Sequence, residues 1–272
     1  MANKKKKKLT MAQRADRHAL YQESVQDSDF ELDFVQQTYK LLRGRKPVTL
    51  REDFCGTARS ACTWATMNRK NMAYGVDLDE EVLDWGRKHN YEPLKSGQKK
   101  RVELIKDNVM TVKTPTVDVI LAFNFSYWIL QQRRQLLKYL RKARNTLNDD
   151  GIMFLDAFGG FEAYRTQVEK SKLEGFTYLW DQHAYNALTG EMQCYIHFRF
   201  PDKSRLDRAF SYTWRLWGAS EIDDLLKEAG FSKVRWYVQK FDDKTDEPVD
   251  EFEETKVVAD YACWIAYIVA EK

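Results

Sequence analysis

The chain has 272 residues, of which 43% are hydrophobic, 14% aromatic and 31% charged. This much apolar surface can offset the entropy of ordering the chain, so the composition excludes a disordered protein, and the length suits one α/β domain with an insertion. The longest nearly unbroken apolar run, residues 261–270, is about half of the roughly 20 residues that a transmembrane helix needs. We therefore expect no membrane span.

The formal net charge of +3 comes from 44 basic and 41 acidic residues. Residues 4–8 are five consecutive lysines, so the remainder of the chain is slightly acidic, and we predict a disordered basic tail over residues 1–9. Such a run can bind nucleic acid by counterion release, but it is more often a solvated tail. No apolar stretch follows these lysines, which is unlike a secretory signal, and we expect a cytoplasmic protein.

The four cysteines, Cys55, Cys62, Cys194 and Cys263, are scattered along the chain. They form no C-x-x-C pair and no close cluster with histidine of the kind that zinc sites use. We therefore expect reduced thiols and no metal cofactor.

Strand-like and helix-like segments alternate over the first half of the chain. A helical region is predicted over residues 10–47, and a strand, a tight turn and a helix follow it over residues 48–67. Further predicted strands are residues 72–78, 102–106, 117–125 and 151–158, and the predicted helices between them are residues 79–89 and 131–147. This alternation indicates a parallel sheet that is covered by helices.

The composition changes over residues 161–218, where aromatic-rich runs are separated by turn residues. We predict a helix and then antiparallel strands in this segment, which would form a small insertion. Alternation resumes with a predicted helix over residues 220–229, followed by strands over residues 233–241 and 261–270 that are joined by an acidic loop. Residues 48–160 and 219–272 would then form one core around the insertion.

The most informative segment is residues 50–58, Leu-Arg-Glu-Asp-Phe-Cys-Gly-Thr-Ala, where a strand passes through a tight turn into a helix. A glycine in such a turn lets the backbone approach a ligand, and Asp77, at the tip of the next strand, can accept from both hydroxyls of a ribose. The turn contains neither G-x-G-x-x-G nor G-x-x-x-x-G-K-[ST], so it is not suited to a dinucleotide pyrophosphate or to ATP phosphates. A nucleoside cofactor without phosphates fits better.

From about Val48 to the carboxyl terminus, the chain resembles the class I S-adenosylmethionine-dependent methyltransferases. Residues 52–58 look like the first motif of that family, although Phe54 and Ala58 stand where the family usually has its first and last glycines. The resemblance implies a Rossmann-like α/β fold with a seven-stranded, mostly parallel sheet, helices on both faces and an antiparallel last strand. It also implies that residues 161–218 cover the substrate and that residues 10–47 form a lid over the cofactor.

The resemblance implies S-adenosyl-L-methionine as the cofactor and S-adenosyl-L-homocysteine as its product. Glu52 would contact the methionine ammonium, with the adjacent Asp53 as the alternative, and Asp77 would accept from the ribose hydroxyls. Each acid also has a simpler explanation: Asp77 as a helix cap and Asp107 as a turn residue. Acids at the carboxyl ends of successive strands are nevertheless what a crevice site in an open sheet requires.

Further cofactor contacts are implied at the next two strand ends. Asp107 would accept from the adenine amino group, and Leu78 and Val109 would flank the ring. Asn124 would lie where the sulfonium meets the substrate, and Tyr21 would contact the cofactor from the lid. The predicted cofactor-binding residues are Tyr21, Glu52, Phe54, Cys55, Gly56, Thr57, Asp77, Leu78, Asp107, Asn108, Val109 and Asn124.

Methyl transfer from a sulfonium is a direct displacement, so the main task of the protein is to align the reactants and exclude water. If the acceptor must lose a proton, Asp156 and His183 are candidate bases, whereas His197 lies in an alternating run that is typical of a strand histidine. Tyr127 and Trp128 would wall the acceptor or hold an ammonium by cation–π contact, or would simply pack the core. The predicted catalytic residues are Asp156, Tyr127 and His183.

The favoured function is methyl transfer to a small-molecule N or O acceptor by a monomer or homodimer that has no membrane partner. Aromatic residues that would line the acceptor pocket, or pack the insertion, are Tyr178, Trp180, Tyr185, Tyr212, Trp214 and Trp217. A nucleic-acid methyltransferase is one alternative, since residues 124–127 faintly resemble the Asn-Pro-Pro-Tyr of base-methylating enzymes and basic residues over 133–144 could contact phosphates. A non-catalytic binding or scaffold protein on the same fold is the other alternative.

Overall fold

The computed structural model describes residues 9–242 and 248–272, so most of the predicted basic tail lies outside the described residues. The described chain divides into two compact units. The core unit comprises Asp27–Ala163 and Trp217–Lys272, and the accessory unit comprises Tyr164–Leu216 together with the described residues up to Gln26. The predicted helical region of residues 10–47 is therefore divided between the two units.

The elements of the described residues alternate as the sequence predicts. The strands are β1 Thr49–Asp53, β2 Met72–Asp77, β3 Val102–Lys106, β4 Val117–Ala122, β5 Leu147–Gly159, β6 Gln167–Leu173, β7 Phe176–Tyr185, β8 Glu191–Arg199, β9 Arg205–Arg215, β10 Lys233–Phe241, β11 Pro248–Glu254 and β12 Trp264–Glu271. The helices are α1 Met11–Arg14, α2 Arg17–Val25, α3 Ser28–Arg43, α4 Arg59–Met67, α5 Glu80–Gly86, α6 Ser96–Lys99, α7 Arg133–Thr146 and α8 Ala219–Glu228. None of these described helices has the length and apolar character needed to cross a membrane.

The core unit is built on a sheet whose described strands lie in the order β11-β10-β12-β5-β4-β1-β2-β3. Strands β1 to β5 are parallel, and Leu50 of β1 pairs with Ala73 of β2 on one side and with Val119 of β4 on the other. Strand β12 is antiparallel to both of its neighbours, β5 and β10. The strands predicted for a Rossmann-like sheet with an antiparallel last strand are all present, and the predicted fold class is confirmed.

Strand β11 was not predicted, because the acidic residues between the last two predicted strands suggested a loop. It pairs antiparallel with β10 at the edge of the sheet. Its acidic side chains are exposed, whereas Phe252 is half-buried with its ring centroid 4.4 Å from that of Tyr267 and 6.1 Å from that of Phe34. Glu251 and Glu254 form ion pairs with Lys240 and Arg235 of β10, so one aromatic contact and two ion pairs hold a strand whose composition suggested a loop.

Helix α3 packs against the core sheet and brings its first turn to the carboxyl end of β1. Its buried face includes Leu32, Val35 and Tyr39, which are fully buried in the main hydrophobic cluster. The Ser28 and Ser60 hydroxyls lie 3.1 Å apart, which joins the start of α3 to the start of α4. Burial of an apolar helix face at this level is the main source of its stability.

The accessory unit is an antiparallel sheet whose described strands lie in the order β6-β7-β8-β9, which confirms the predicted antiparallel insertion. The helix predicted before these strands is only a short 3₁₀ helix, Phe161–Tyr164. Trp180, Tyr212 and Trp214 form an aromatic row on the sheet, with ring centroids 4.5 to 6.1 Å apart. Helix α2 packs on the same sheet.

Candidate functional site

The turn that connects β1 to α4 has an alternating left-handed backbone. Phe54, Gly56 and Ala58 have φ angles of 56°, 51° and 54°. Such angles cost a non-glycine residue about 1–3 kcal/mol and persist only where the surroundings enforce them. Here Cys55 donates its N–H to the Val76 carbonyl at 3.0 Å, and Ala58 donates to the Cys55 carbonyl at 2.7 Å. The two residues that replace glycines of the resembled motif therefore keep the conformation that favours glycine.

Contacts from β2 and α5 hold this turn in place. The Gly56 N–H donates to Asp77 Oδ2 at 2.7 Å, which ties the turn to the carboxyl end of β2. The Thr57 carbonyl accepts from Asn90 Nδ2 at 2.8 Å. A Cβ at Gly86 would lie 2.3 Å from that carbonyl oxygen, so only glycine allows α5 to approach the turn this closely. In the sequence, the only sign of this close contact between α5 and the turn was the presence of a glycine, Gly86, inside a predicted helix.

The structure distinguishes the two adjacent acids at the end of β1. Asp53 forms a fully buried ion pair with Arg51 at 2.7 Å and accepts from the Tyr139 hydroxyl at 2.8 Å. Glu52 instead accepts from the Ala61 N–H at 2.8 Å, and within the described residues it has no cation within ion-pair distance. Burial is the main cause that raises the pKa of Glu52 to about 8.

The turn after β3 brings the predicted Asp107, Asn108 and Val109 to the same edge of the sheet. The Asp107 N–H donates to the Asp77 carbonyl at 3.1 Å, which joins the ends of β2 and β3. Asp107 Oδ1 accepts from the Asn108 N–H at 2.6 Å, and Asn108 Oδ1 accepts from the Met110 N–H at 2.9 Å. Val109 is buried beneath this turn.

The turn after β4 is held by Asp156 at the end of β5. Asn124 and Phe125 have φ angles of 58° and 54°, and their N–H groups donate to the two carboxylate oxygens of Asp156 at 2.6 and 2.8 Å. The fully buried Tyr127 donates its hydroxyl to the Asp156 carbonyl at 2.9 Å. Burial raises the pKa of Asp156 to about 7 although both hydrogen bonds oppose the shift. Asp156 thus fixes the turn that presents Asn124.

Glu31 is a buried acid at this site that the sequence analysis missed. It lies on α3, is 8% exposed, and faces the negative charges of Asp156 and Glu52. Burial first, and then these charges, raise its pKa well above the ordinary range. The available signal was its place in the helix: Glu31 shares a buried face with Val35 four residues later, where an acid is unusual.

Two predicted site residues lie in the accessory unit rather than at the core sheet. Tyr21 packs on Phe210, with ring centroids 4.9 Å apart. His183 is exposed and its Nδ1 lies 3.6 Å from Asp181 Oδ2. The aromatic row of this unit is packed internally, and Trp217 is buried in the core unit. The roles of Tyr21 and His183 stay predictions.

The nucleic-acid alternative rested on residues 124–127, on the lysine tail and on the basic helix α7, and part of the charge of α7 is used within the core unit. Arg133 and Arg141 form ion pairs with Glu228 of α8, and Arg144 donates to the Gly230 carbonyl at 2.7 Å. These contacts give three of the six basic residues that α7 would offer to phosphates a structural role.

Across residues 9–242 and 248–272, no group of three or more histidine, cysteine, aspartate or glutamate side chains is arranged to hold a metal ion.

No protein-family model and no curated protein matches the chain, but solved structures share its fold. An S-adenosylmethionine-dependent methyltransferase from Clostridium acetobutylicum matches with a TM-score of 0.66 at 16% identity, over 93% of this chain and 96% of that chain. An S-adenosylmethionine-bound amino pentose methyltransferase from Micromonospora echinaspora matches at 0.63 and 14%, over 92% and 95% of the chains. A sugar N-methyltransferase from Streptoalloteichus sp. matches at 0.60 and 13%, over 98% of each. The chain therefore has the fold of these methyltransferases.

Proposed function

We propose that the protein transfers a methyl group from S-adenosylmethionine to a nitrogen or oxygen atom of a small molecule. The observation that supports this most directly is the hydrogen bond from Gly56 to Asp77, which joins the turn after β1 to the acid that ends β2. Ligands of open α/β sheets bind at the carboxyl ends of the strands, where this turn and this acid lie. The fold is shared with solved S-adenosylmethionine-dependent methyltransferases.

The residues at this edge fit an adenosyl cofactor. A Cβ at Gly56 would meet nothing closer than Val82 Cγ1 at 3.7 Å, so the turn borders open space. Leu78 is 63% exposed directly after Asp77 and offers an apolar wall beside a polar acceptor, the combination that small-molecule sites use. Glu52 would bind the cationic methionine end, Asp77 the ribose, and Asp107 the adenine.

When bound, S-adenosylmethionine supplies an electrophilic methyl group on a sulfonium centre. The residues of the chain would bind the reactants, align them and exclude water. Asp156 is buried, and both of its oxygens accept N–H groups of the turn that carries Asn124, so we propose that it acts as a positioning residue for Asn124 rather than as a base. Asp77 also accepts two backbone N–H groups, but it is half-buried and each of its oxygens keeps a second lone pair for a ribose hydroxyl. Tyr127, which donates to the Asp156 backbone, would support the same turn.

Two of the solved neighbours are described as acting on sugars, one as an amino pentose methyltransferase and one as a sugar N-methyltransferase. This supports a small polar acceptor over a nucleic acid. The engagement of Arg133, Arg141 and Arg144 within the core unit points in the same direction.

The test is thermal unfolding with S-adenosylmethionine, S-adenosylhomocysteine, NADH and ATP in parallel. A ligand that binds only the folded state raises its stability, and we expect only the first two to do so. A flat response to all four would favour the scaffold alternative.

Asp77→Asn is the variant that tests the cofactor assignment. It should weaken binding of S-adenosylhomocysteine by about 1.5–3 kcal/mol, because a charge-assisted acceptor is lost. Asp84→Asn, at an exposed acid on α5, is the matched control and should bind as the wild type does. Unchanged affinity in Asp77→Asn, measured by titration calorimetry, would show that Asp77 does not hold the ribose.

A further inference from the structure

Glu31 is a buried carboxylate that the packing of α3 does not explain. It is 8% exposed, and the causes that shift its pKa are burial and neighbouring charges, with no hydrogen bond among them. Buried charges are normally paired or hydrogen-bonded, because removing an isolated carboxylate from water is costly. An aliphatic residue at this position, beside Leu32 and Val35, would be the ordinary choice for a helix that packs on a core.

The surroundings of Glu31 are acidic rather than compensating. Asp156, Glu52 and Asp27 all add negative charge near Glu31, and Arg59 is the cation that opposes them. Backbone N–H groups hold these three acids in place, since Asp27 accepts from Phe30, Glu52 from Ala61, and Asp156 from Asn124 and Phe125. They cannot turn away from Glu31 without losing those bonds.

Without a ligand, ionisation of Glu31, Glu52 and Asp156 is unfavourable, and their pKa values are raised. A group with one compact positive charge and several N–H donors would satisfy the Glu31 oxygens and favour the ionised forms of these acids. A neutral or anionic ligand would leave their pKa values raised. The electrostatics of the subsite therefore select a cation.

We propose that Glu31 is the hydrogen-bond acceptor for an alkylammonium group of a bound ligand, in a subsite completed by Glu52 and Asp156. This inference rests on the proposed function, which supplies two sources of that chemistry: the α-ammonium of the cofactor and an ammonium on the methyl acceptor. Glu52 is the next-to-last residue of β1, beside the motif turn, and Asp156 lies near the end of β5 and accepts from the Asn124 N–H, so the subsite joins the cofactor side to the acceptor side.

The first arm tests the cofactor as the source. Titration calorimetry compares S-adenosylhomocysteine with its desamino analogue, which lacks the α-ammonium, on the wild type, Glu31→Gln and Asp33→Asn. Asp33 is an exposed acid on the same helix and serves as the matched control. If the cofactor supplies the ammonium, the wild type and the control should prefer S-adenosylhomocysteine by about tenfold or more, and Glu31→Gln should lose most of this preference.

The second arm tests the acceptor as the source. The protein saturated with S-adenosylhomocysteine is titrated with glucosamine and, as the neutral counterpart, glucose, and binding is followed by saturation-transfer NMR. If the acceptor supplies the ammonium, Glu31→Gln keeps its affinity for S-adenosylhomocysteine but loses the preference for glucosamine. Glu31→Asp, which keeps the charge on a shorter side chain, should restore part of the lost preference in whichever arm responds.

A Glu31→Gln variant that discriminates as the wild type does in both arms overturns the subsite. A wild type that binds neither S-adenosylmethionine nor S-adenosylhomocysteine overturns the proposed function instead, and that result is visible before any variant is compared. Glutamine has the shape of glutamate without its charge, so we expect Glu31→Gln to unfold at the wild-type temperature or above it when no ligand is present.

Discussion

Asp118 and Glu52 lie at opposite ends of two neighbouring parallel strands of the large sheet, Asp118 at the amino end (the amino edge) and Glu52 at the carboxyl end (the carboxyl edge). Both side chains are almost fully buried. Asp118, near the start of β4, accepts from Arg45 at 2.8 Å and from the Val48 and Thr49 N–H groups at 2.7 and 3.1 Å. These partners lower its pKa to about 2 although burial opposes the shift. Glu52, near the end of β1, has a pKa raised to about 8 because no cation balances its burial.

The difference separates the amino end of the sheet, where the buried charge is compensated, from the carboxyl end, where it is not. The amino edge satisfies its buried charge within the chain, so it stabilises the fold and leaves nothing for a ligand to neutralise. The carboxyl edge holds Glu31, Glu52 and Asp156, whose pKa values are all raised. Groups that are shifted in this way cluster at functional sites, which agrees with ligand binding at the carboxyl ends of parallel strands.

Removing the compensated charge should have the largest effect on stability. Asp118→Ala leaves the Val48 and Thr49 N–H groups without their acceptor and removes one of the two carboxylates that pair with Arg45, and we expect a loss of about 3 kcal/mol in the free energy of unfolding. Urea denaturation measures this loss. Asp149→Ala, at an exposed acid nearby, is the control and should change stability little. A loss below about 1 kcal/mol for Asp118→Ala would remove the contrast between the two edges.

Removing the uncompensated charge of Glu52 should increase stability rather than decrease it, and the increase should depend on pH. The pKa of Glu52 rises from 4.5 to about 8 on folding, so the wild type loses stability as the pH rises through this interval. Glu52→Gln does not ionise, so it should gain on the order of 2 kcal/mol over the wild type at about pH 8.5 and little at about pH 5.

Denaturation at the two pH values measures this gain. For comparison, the stability that Asp118 contributes should be present above pH 3.8 and lost as the pH falls towards 2. Equal gains in stability for Glu52→Gln at about pH 5 and about pH 8.5 would contradict this prediction, because they would mean that folding does not raise the pKa of Glu52.

A substitution behind the motif turn should disturb the carboxyl edge by steric means. In Gly86→Ala the new Cβ would lie 2.3 Å from the Thr57 carbonyl oxygen, and this is backbone that cannot move aside cheaply. We expect a loss of about 1.5 kcal/mol in stability and weaker binding of S-adenosylhomocysteine. Gly97→Ala is the control, because nothing lies within 4 Å of its Cβ position. Calorimetry showing wild-type affinity for Gly86→Ala would mean that the turn takes no part in binding.

Much of the fold was predictable because alternating strands and helices leave few possible topologies. The strands of the parallel sheet follow from hydrophobic runs and their spacing, whereas the antiparallel direction of β12 was implied by the family resemblance. Strand β11 was not predictable in this way, since its acidic composition suggests a loop, and the contacts that hold it, Phe252 with Tyr267 and the ion pairs of Glu251 and Glu254 with β10, are tertiary. The division of the N-terminal helices between two units at Gln26 also depends on tertiary packing, which no local pattern reports.

The candidate site was predictable where a strand end coincides with an acid, as at Asp77 and Asp107. The motif turn was harder to recognise, because Phe54 and Ala58 stand at positions where the sequence motif has glycine. Both residues nevertheless adopt the left-handed backbone angles that are typical of glycine. Glu31 was missed for another reason. Glu52 and Asp156, whose charges act on Glu31, lie in segments that are distant from it in the chain, and no local sequence pattern reports this proximity.

The smallest predicted change in stability comes from two Gly→Ala substitutions, which together distinguish the effect of backbone strain from an effect on ligand binding. Gly56 and Gly175 both have positive φ angles, of 51° and 82°, and both have room for a methyl group. Each Gly→Ala change should therefore destabilise the protein by about 1 kcal/mol, because alanine disfavours this conformation. Gly56 lies in the turn at the carboxyl edge, whereas Gly175 lies in the turn between β6 and β7 of the accessory unit. Gly56→Ala alone should then weaken the binding of S-adenosylhomocysteine, and equal affinity of the two variants in titration calorimetry would place the cofactor away from this turn.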